Sequence, residues 1–148
     1  MLPDPTPAVR TDGLWHRTCF EAFLQPPGGD AYHELNLAPC GAWAAYRFDS
    51  YRVGMADADV PAPRITASAT ADGFELRATV DLSGVTALAG PWRVALTAVI
   101  EGAGGEAAAA EMVARIHTAA PLSTTIGHAA DYRQLLLKRQ QNKQRKKS

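Results

Sequence analysis

Lysine is missing from the first 137 residues of this 148-residue chain, and all four lysines fall in the last eleven positions. Cysteine is nearly missing too. Cys19 and Cys40 are the only two, and they form no zinc or C-x-x-C redox motif, so they read as reduced, small apolar residues. No apolar run approaches the ~20 residues that a membrane-spanning helix requires. The opening M-L-P-D-P-T-P carries neither a basic stretch nor an apolar one. It therefore offers no secretory leader, which leaves the cytoplasm as the default location. The sequence contains no G-x-S-x-G, H-E-x-x-H or P-loop motif. Asp57-Ala58-Asp59 is too short for an EF-hand loop, and Ser50, next to Asp49, has no assigned base. Nothing here points to an enzyme.

What is present begins with a charge asymmetry. The formal net charge is zero, yet residues 1–130 hold 8 arginines against 14 carboxylates, and residues 131–148 hold 7 basic residues against one aspartate. Three regions follow: a Pro-rich, extended segment at 1–11, a folded domain over 12–130, and a basic tail at 131–148. The tail can attract nucleic acid or another anionic surface through charge alone. It has no base-reading signature and no apolar anchor after Leu137, so we expect a disordered tail with no specific nucleic-acid partner.

The body reads as short β-runs separated by turns: Thr18–Gln25, Tyr32–Ala38, Trp43–Phe48, Arg64–Thr70, Phe74–Asp81 and Trp92–Glu101, with a loop over 53–63. Asp72-Gly73 marks a hairpin. The expected fold is all-β, an antiparallel β-sandwich. The stretch E-A-A-A-A-E-M-V-A-R-I-H after Gly105 instead favours helix by local propensity, and the segment from Asp131 has the same option.

Register is legible in the first three strands. A turn across Pro26–Asp30 that sets Gln25 opposite Tyr32 pairs Phe23 with Glu34, Glu21 with Asn36 and Cys19 with Ala38. On the other face it pairs Leu24 with His33, Ala22 with Leu35 and Phe20 with Leu37. A slip by one residue would mix apolar and polar side chains on each face. A four-residue turn at 39–42 would then set Asn36 against Ala45, Glu34 against Arg47 and Leu35 against Tyr46. This register gathers Glu21, Glu34, Asn36 and Arg47 on one face, framed by Phe23, Tyr32 and Trp43. One reading is an ordinary solvated face with an ion pair of about 0.2–1 kcal/mol. The other is a binding surface suited to a sugar, whose hydroxyls need donors and acceptors and whose C–H faces stack on aromatic rings.

H-R-T-C-F-E-A-F-L, Y-H-E-L-N-L-A-P-C-G-A-W-A-A-Y-R-F-D-S-Y-R and W-R-V-A-L-T-A-V-I-E resemble the bacterial DOMON-like domain proteins, which are related to the family 9 carbohydrate-binding modules. The likeness spans roughly residues 12–101. It implies a β-sandwich that binds a small ligand without catalysis, carbohydrate first and haem second. By the same resemblance Trp15 and Trp43 are stacking residues, and Glu21, Glu34, Asn36, Arg47 and Arg52 are polar contacts. A haem reading draws on Met55, His16 and His33 as candidate ligands, although packing roles for His33 and Met55 compete with it. Against the family pattern the chain starts late, without an N-terminal strand pair. Its C-terminus replaces the family's closing aromatic strand with A-A-A-A-E-M-V-A-R-I, as a divergent or frame-altered end would. Sheet edges left open by missing strands would favour self-association. A protein-interaction or purely structural domain with no small ligand is the alternative function class.

Overall fold

The computed structural model describes residues 8–71, 73–89, 91–101 and 107–108. Among these residues eight strands are formed: β1 (Cys19–Gln25), β2 (Tyr32–Leu37), β3 (Trp43–Phe48), β4 (Ala56–Asp57), β5 (Arg64–Thr70), β6 (Gly73–Thr79), β7 (Arg93–Glu101) and β8 (Ala107–Ala108). One sheet has the order β4-β3-β2-β1-β7-β8, and β5-β6 is a separate hairpin. All strand pairs are antiparallel. The fold is all-β and sandwich-like, as the spacing of turns and apolar runs predicts.

The β1–β2 pairing is the expected one, from Leu24 against His33 to Phe20 against Leu37. The β2–β3 pairing is shifted by one residue. Leu37 faces Trp43, Asn36 faces Ala44, Leu35 faces Ala45, Glu34 faces Tyr46 and His33 faces Arg47. The cause lies in the connection Ala38-Pro39-Cys40-Gly41-Ala42. Gly41 N–H donates to Ala38 O at 3.0 Å, and Ala38 N–H donates to Ala42 O at 2.8 Å. Gly41 takes the left-handed conformation, φ 91°. This is a three-residue loop built on a type I turn: proline presets its first position and glycine supplies the positive φ. Three loop residues rather than four turn every β3 side chain to the other face.

The two faces therefore differ from expectation only in what β3 contributes. The apolar face gathers Leu24, Leu35, Trp43, Ala45 and Val94 with Ala58, Val60, Leu88 and Trp92 into the main core. Ile65 of the hairpin and Val80, Leu82 and Val85 of the β6–β7 connection pack against that core. Trp92 is anchored by its own indole, whose Nε1–H donates to Leu88 O at 2.7 Å. The opposite face carries a smaller cluster of Ala44, Tyr46 and Phe48, against which Leu14, Trp15 and Tyr32 pack. Tyr32 and Phe48 stack with centroids 4.7 Å apart.

Residues 8–18 position this second face. Residues 9–11 lie against the outer edge of β3: Arg10 bridges Trp43 in parallel fashion, Trp43 N–H donates to Val9 O at 3.0 Å, and Thr11 N–H donates to Trp43 O at 2.8 Å. Further along the same edge, β4 pairs with Tyr46 and Arg47. That edge is thus covered by two short segments, one manner of protecting an edge strand. Gly13, at φ 74°, then turns the chain into a 3₁₀ turn at Leu14–His16, which packs over β1 and β2 before β1 begins. The expected loop over 53–63 thus contains one short strand, β4. Of the segment with helical propensity after Gly105, Ala107 and Ala108 are described, and they are strand. The rest of that segment and the basic tail at 131–148 lie outside the described residues.

Candidate functional site

Strand alternation places Glu21, Glu34 and Asn36 together, as the β1–β2 register predicts. They are not a surface. Glu21 is 3% exposed, Glu34 5% and Asn36 0%. Thr97, opposite Glu21 on β7, donates its hydroxyl to Glu21 Oε2 at 2.6 Å. Asn36 Nδ2 donates to Glu34 Oε1 at 3.1 Å, while Asn36 Oδ1 receives no hydrogen bond. A buried carboxylate is tolerated only with such donors, because desolvation of the charge is otherwise costly. These three residues form a buried polar layer next to Tyr46, and they cannot reach a ligand in solution.

Trp43 and Arg47 require correction. The one-residue shift puts Trp43 in the main core, 6% exposed, where no ligand can stack on it. Its ring is covered by the Arg10 guanidinium, 5.2 Å from the ring centroid. Arg47 lies across from His33 rather than Glu34 and points to solvent, 3.7 Å from Asp49. Arg52 is exposed in the loop after β3 at φ 60°, with its guanidinium over the Tyr51 ring. Its backbone N–H donates to the Tyr32 hydroxyl at 3.3 Å. Burial raises the Tyr32 phenol above its ordinary pKa, and this hydrogen bond partly offsets the rise. The same loop is held tight at Gly54, φ 70°, where a Cβ would collide with the Asp49 carboxylate. Tyr51, Val53 and Met55 are exposed along it.

Of the expected site residues, Trp15 lines an open groove. The groove, about 370 Å³, is walled by Asp12, Trp15, Tyr46, Met55, Ala56 and Asp57. Its volume falls at the lower end of the range for small-ligand sites, roughly 300–1,000 Å³. Trp15 meets Tyr46 edge to face, centroids 5.8 Å apart at 68°, a favoured aromatic geometry. The Tyr46 hydroxyl donates to Asp12 Oδ1 at 2.7 Å. Burial, and then the Asp12 carboxylate, hold the Tyr46 phenol far above its ordinary pKa, so it remains a neutral donor. Asp57 lies 3.6 Å from Arg10. That guanidinium is itself fixed by donating to Ala45 O at 2.6 Å and Ala58 O at 2.9 Å.

The sequence reading missed Asp12, Tyr46 and Asp57 as partners of Trp15. Tyr46 was hidden by the four-residue count of the turn at 39–42, which had turned it to the core. Asp12 was hidden because a chain reversal, not a strand, brings it over β3. Of the candidate haem ligands, His33 is buried on the core side of the sheet, Met55 lines the groove, and His16 lies beside Trp15 with ring centroids 5.6 Å apart. His33 Nδ1 has no partner; burial first, and Arg47 second, lower its pKa and favour the neutral imidazole. Among the described residues no group of three or more His, Cys, Asp or Glu could hold a metal ion, and no helix is long and apolar enough to cross a membrane. Comparisons with protein-family models, with curated proteins and with solved structures returned no match.

Proposed function

We propose that this chain is a non-catalytic small-ligand binding module of DOMON-like type that holds a carbohydrate in the groove beside Trp15. The observation that carries the proposal is the groove's composition. A tryptophan face stands beside a tyrosine and a methionine, and two carboxylates lie at the same opening. Sugar rings use both kinds of group: C–H faces stack on indole, and hydroxyls donate to carboxylates. Glu21, Glu34 and Asn36 serve this site from beneath, by fixing the sheet face on which Tyr46 and Trp15 rest.

A second reading, a protein-interaction domain, is favoured by Tyr51, Val53 and Met55, which are 59%, 58% and 49% exposed on one short loop next to the groove. A thermal-shift screen separates the two. Purified chain is melted with a panel of mono- and disaccharides, and with haem as a further arm. A cooperative transition raised by a sugar, and no longer raised in Trp15→Ala, supports the proposal. A cooperative transition that no sugar moves contradicts it and favours the interaction reading. A shift with haem alone, accompanied by a Soret band, would also contradict it.

A further inference from the structure

The two sheets end differently. The main sheet finishes in strands of two residues, β4 and β8, and short edge strands leave little to pair with. The hairpin presents two seven-residue strands, and among the described residues neither pairs with anything but the other. A two-stranded hairpin is marginal by itself. This one leans on the main core through Ile65, while Ala69 and Ala78 are exposed and Leu76 is half-buried.

Register decides which backbone groups β6 offers at its free edge. Thr70 and Gly73 are the last pair before the turn, with two residues between them. A two-residue turn closes on a hydrogen-bonded pair, and hydrogen-bonded and non-hydrogen-bonded pairs then alternate along the ladder. Gly73, Glu75, Arg77 and Thr79 therefore turn their backbone N–H and C=O groups toward β5. Phe74, Leu76 and Ala78 turn theirs outward. A copy of β6 laid antiparallel about a two-fold axis at Leu76 meets that outward set group for group. Leu76 faces its own copy, and Phe74 faces the partner's Ala78.

The charges agree with the same register. Glu75 comes opposite the partner's Arg77, and Arg77 opposite the partner's Glu75, in the closer, non-hydrogen-bonded pairs. Both side chains are exposed, and they form an ion pair along their own strand at 2.9 Å. Edge charges of one sign would repel a second copy. Opposite signs two residues apart attract it. The β5 edge has no such pattern: its strand is R-I-T-A-S-A-T, with Arg64 as its one charge.

We infer that a second copy of this chain docks edge to edge on β6, in register about Leu76, and joins the two hairpins into one four-stranded antiparallel sheet. The interface is isologous, so it closes at two copies.

Sedimentation equilibrium of the full chain, from about 1 μM to about 1 mM, tests this. The wild type should pass from the 15.8 kDa chain to a species of twice that mass as concentration rises. Arg77→Glu and Glu75→Arg each set like charges opposite one another, and each should weaken dimerisation about tenfold. An equimolar mixture of the two single variants restores opposite charges across the axis and should pair as tightly as the wild type. The double variant Glu75→Arg/Arg77→Glu should do the same. A wild type that stays monomeric, single variants that dimerise undiminished, a mixture that fails to recover, or growth beyond two copies overturns the inference. Amide exchange of the wild type reads the same register without any substitution. The N–H groups of Phe74, Leu76 and Ala78 should slow with rising concentration; slowing confined to other residues overturns the inference as well.

Discussion

The two faces of the main sheet bury tryptophans of opposite use. On one face Trp43 is packed among Leu24, Leu35, Val60, Leu88 and Trp92. On the other, Trp15 rests on Tyr46 at the wall of an open groove, above a layer holding Glu21, Glu34 and Asn36. Both faces are covered, but by different means. The core face is closed by apolar side chains from residues 58–92. The second face is closed by residues 8–18, which contribute Asp12, Leu14, Trp15 and a 3₁₀ turn. A face covered by few residues, over polar side chains, leaves gaps at its margin. That margin is where the groove lies.

The sharpest way to break this comparison is to truncate both tryptophans. Trp43→Ala should destabilise the fold by about 3–5 kcal/mol, as large aromatic deletions in cores do. Trp15→Ala should cost under about 1.5 kcal/mol, close to the value of an aromatic pair, while abolishing ligand-induced stabilisation. Urea unfolding of both variants reads the difference; equal losses would mean that Trp15 is core as well.

The next effect concerns the polar layer. Asn36→Ala withdraws a donor from the buried Glu34 and should cost about 1–3 kcal/mol. Arg47→Ala removes an exposed ion partner of Asp49 and should change stability by no more than about 1 kcal/mol. The two differ because one carboxylate is desolvated and the other is not. Tyr46→Phe removes the bond to Asp12 and should cost about 0.5–1.5 kcal/mol. It should also delete a late-ionising phenol from a spectrophotometric alkaline titration, since Tyr46 is held far above the usual tyrosine range.

The smallest effect is a pH slope. The folded pKa of His33 lies below its unfolded value of 6.5 because burial, then Arg47, disfavours the charged ring. Between those two pKa values the unfolded chain binds more protons, so stability rises with pH through that window and is flat above 6.5. Denaturation midpoints measured from pH 4 to 8 should show the rise in the wild type. His33→Gln should flatten it.

Much of this contrast is legible in the sequence. The alternation in C-F-E-A-F-L-Q and Y-H-E-L-N-L has period two and admits one register across Pro26–Asp30, and that register is the observed one. P-C-G between Ala38 and Ala42 was equally readable as a three-residue loop, but counting four residues moved Trp43 and Arg47 to the wrong face. Alternation could not correct the error, because W-A-A-Y-R-F is nearly as apolar on one face as on the other. The groove was less accessible still. It depends on where Asp12 and Trp15 come to rest after a glycine turn, and on the short pairing of Ala56–Asp57 with β3, neither of which has a periodic signal.

The most direct test of the account follows the three tryptophans during a ligand titration, through their indole N–H signals in a ¹H–¹⁵N spectrum. Assignments come from Trp15→Phe and Trp92→Phe variants, and mono- and disaccharides are added in turn. The account predicts that the Trp15 signal moves in a saturable manner while those of Trp43 and Trp92 stay in place. Movement of Trp43 with Trp15 stationary would place the ligand on the opposite face and contradict it.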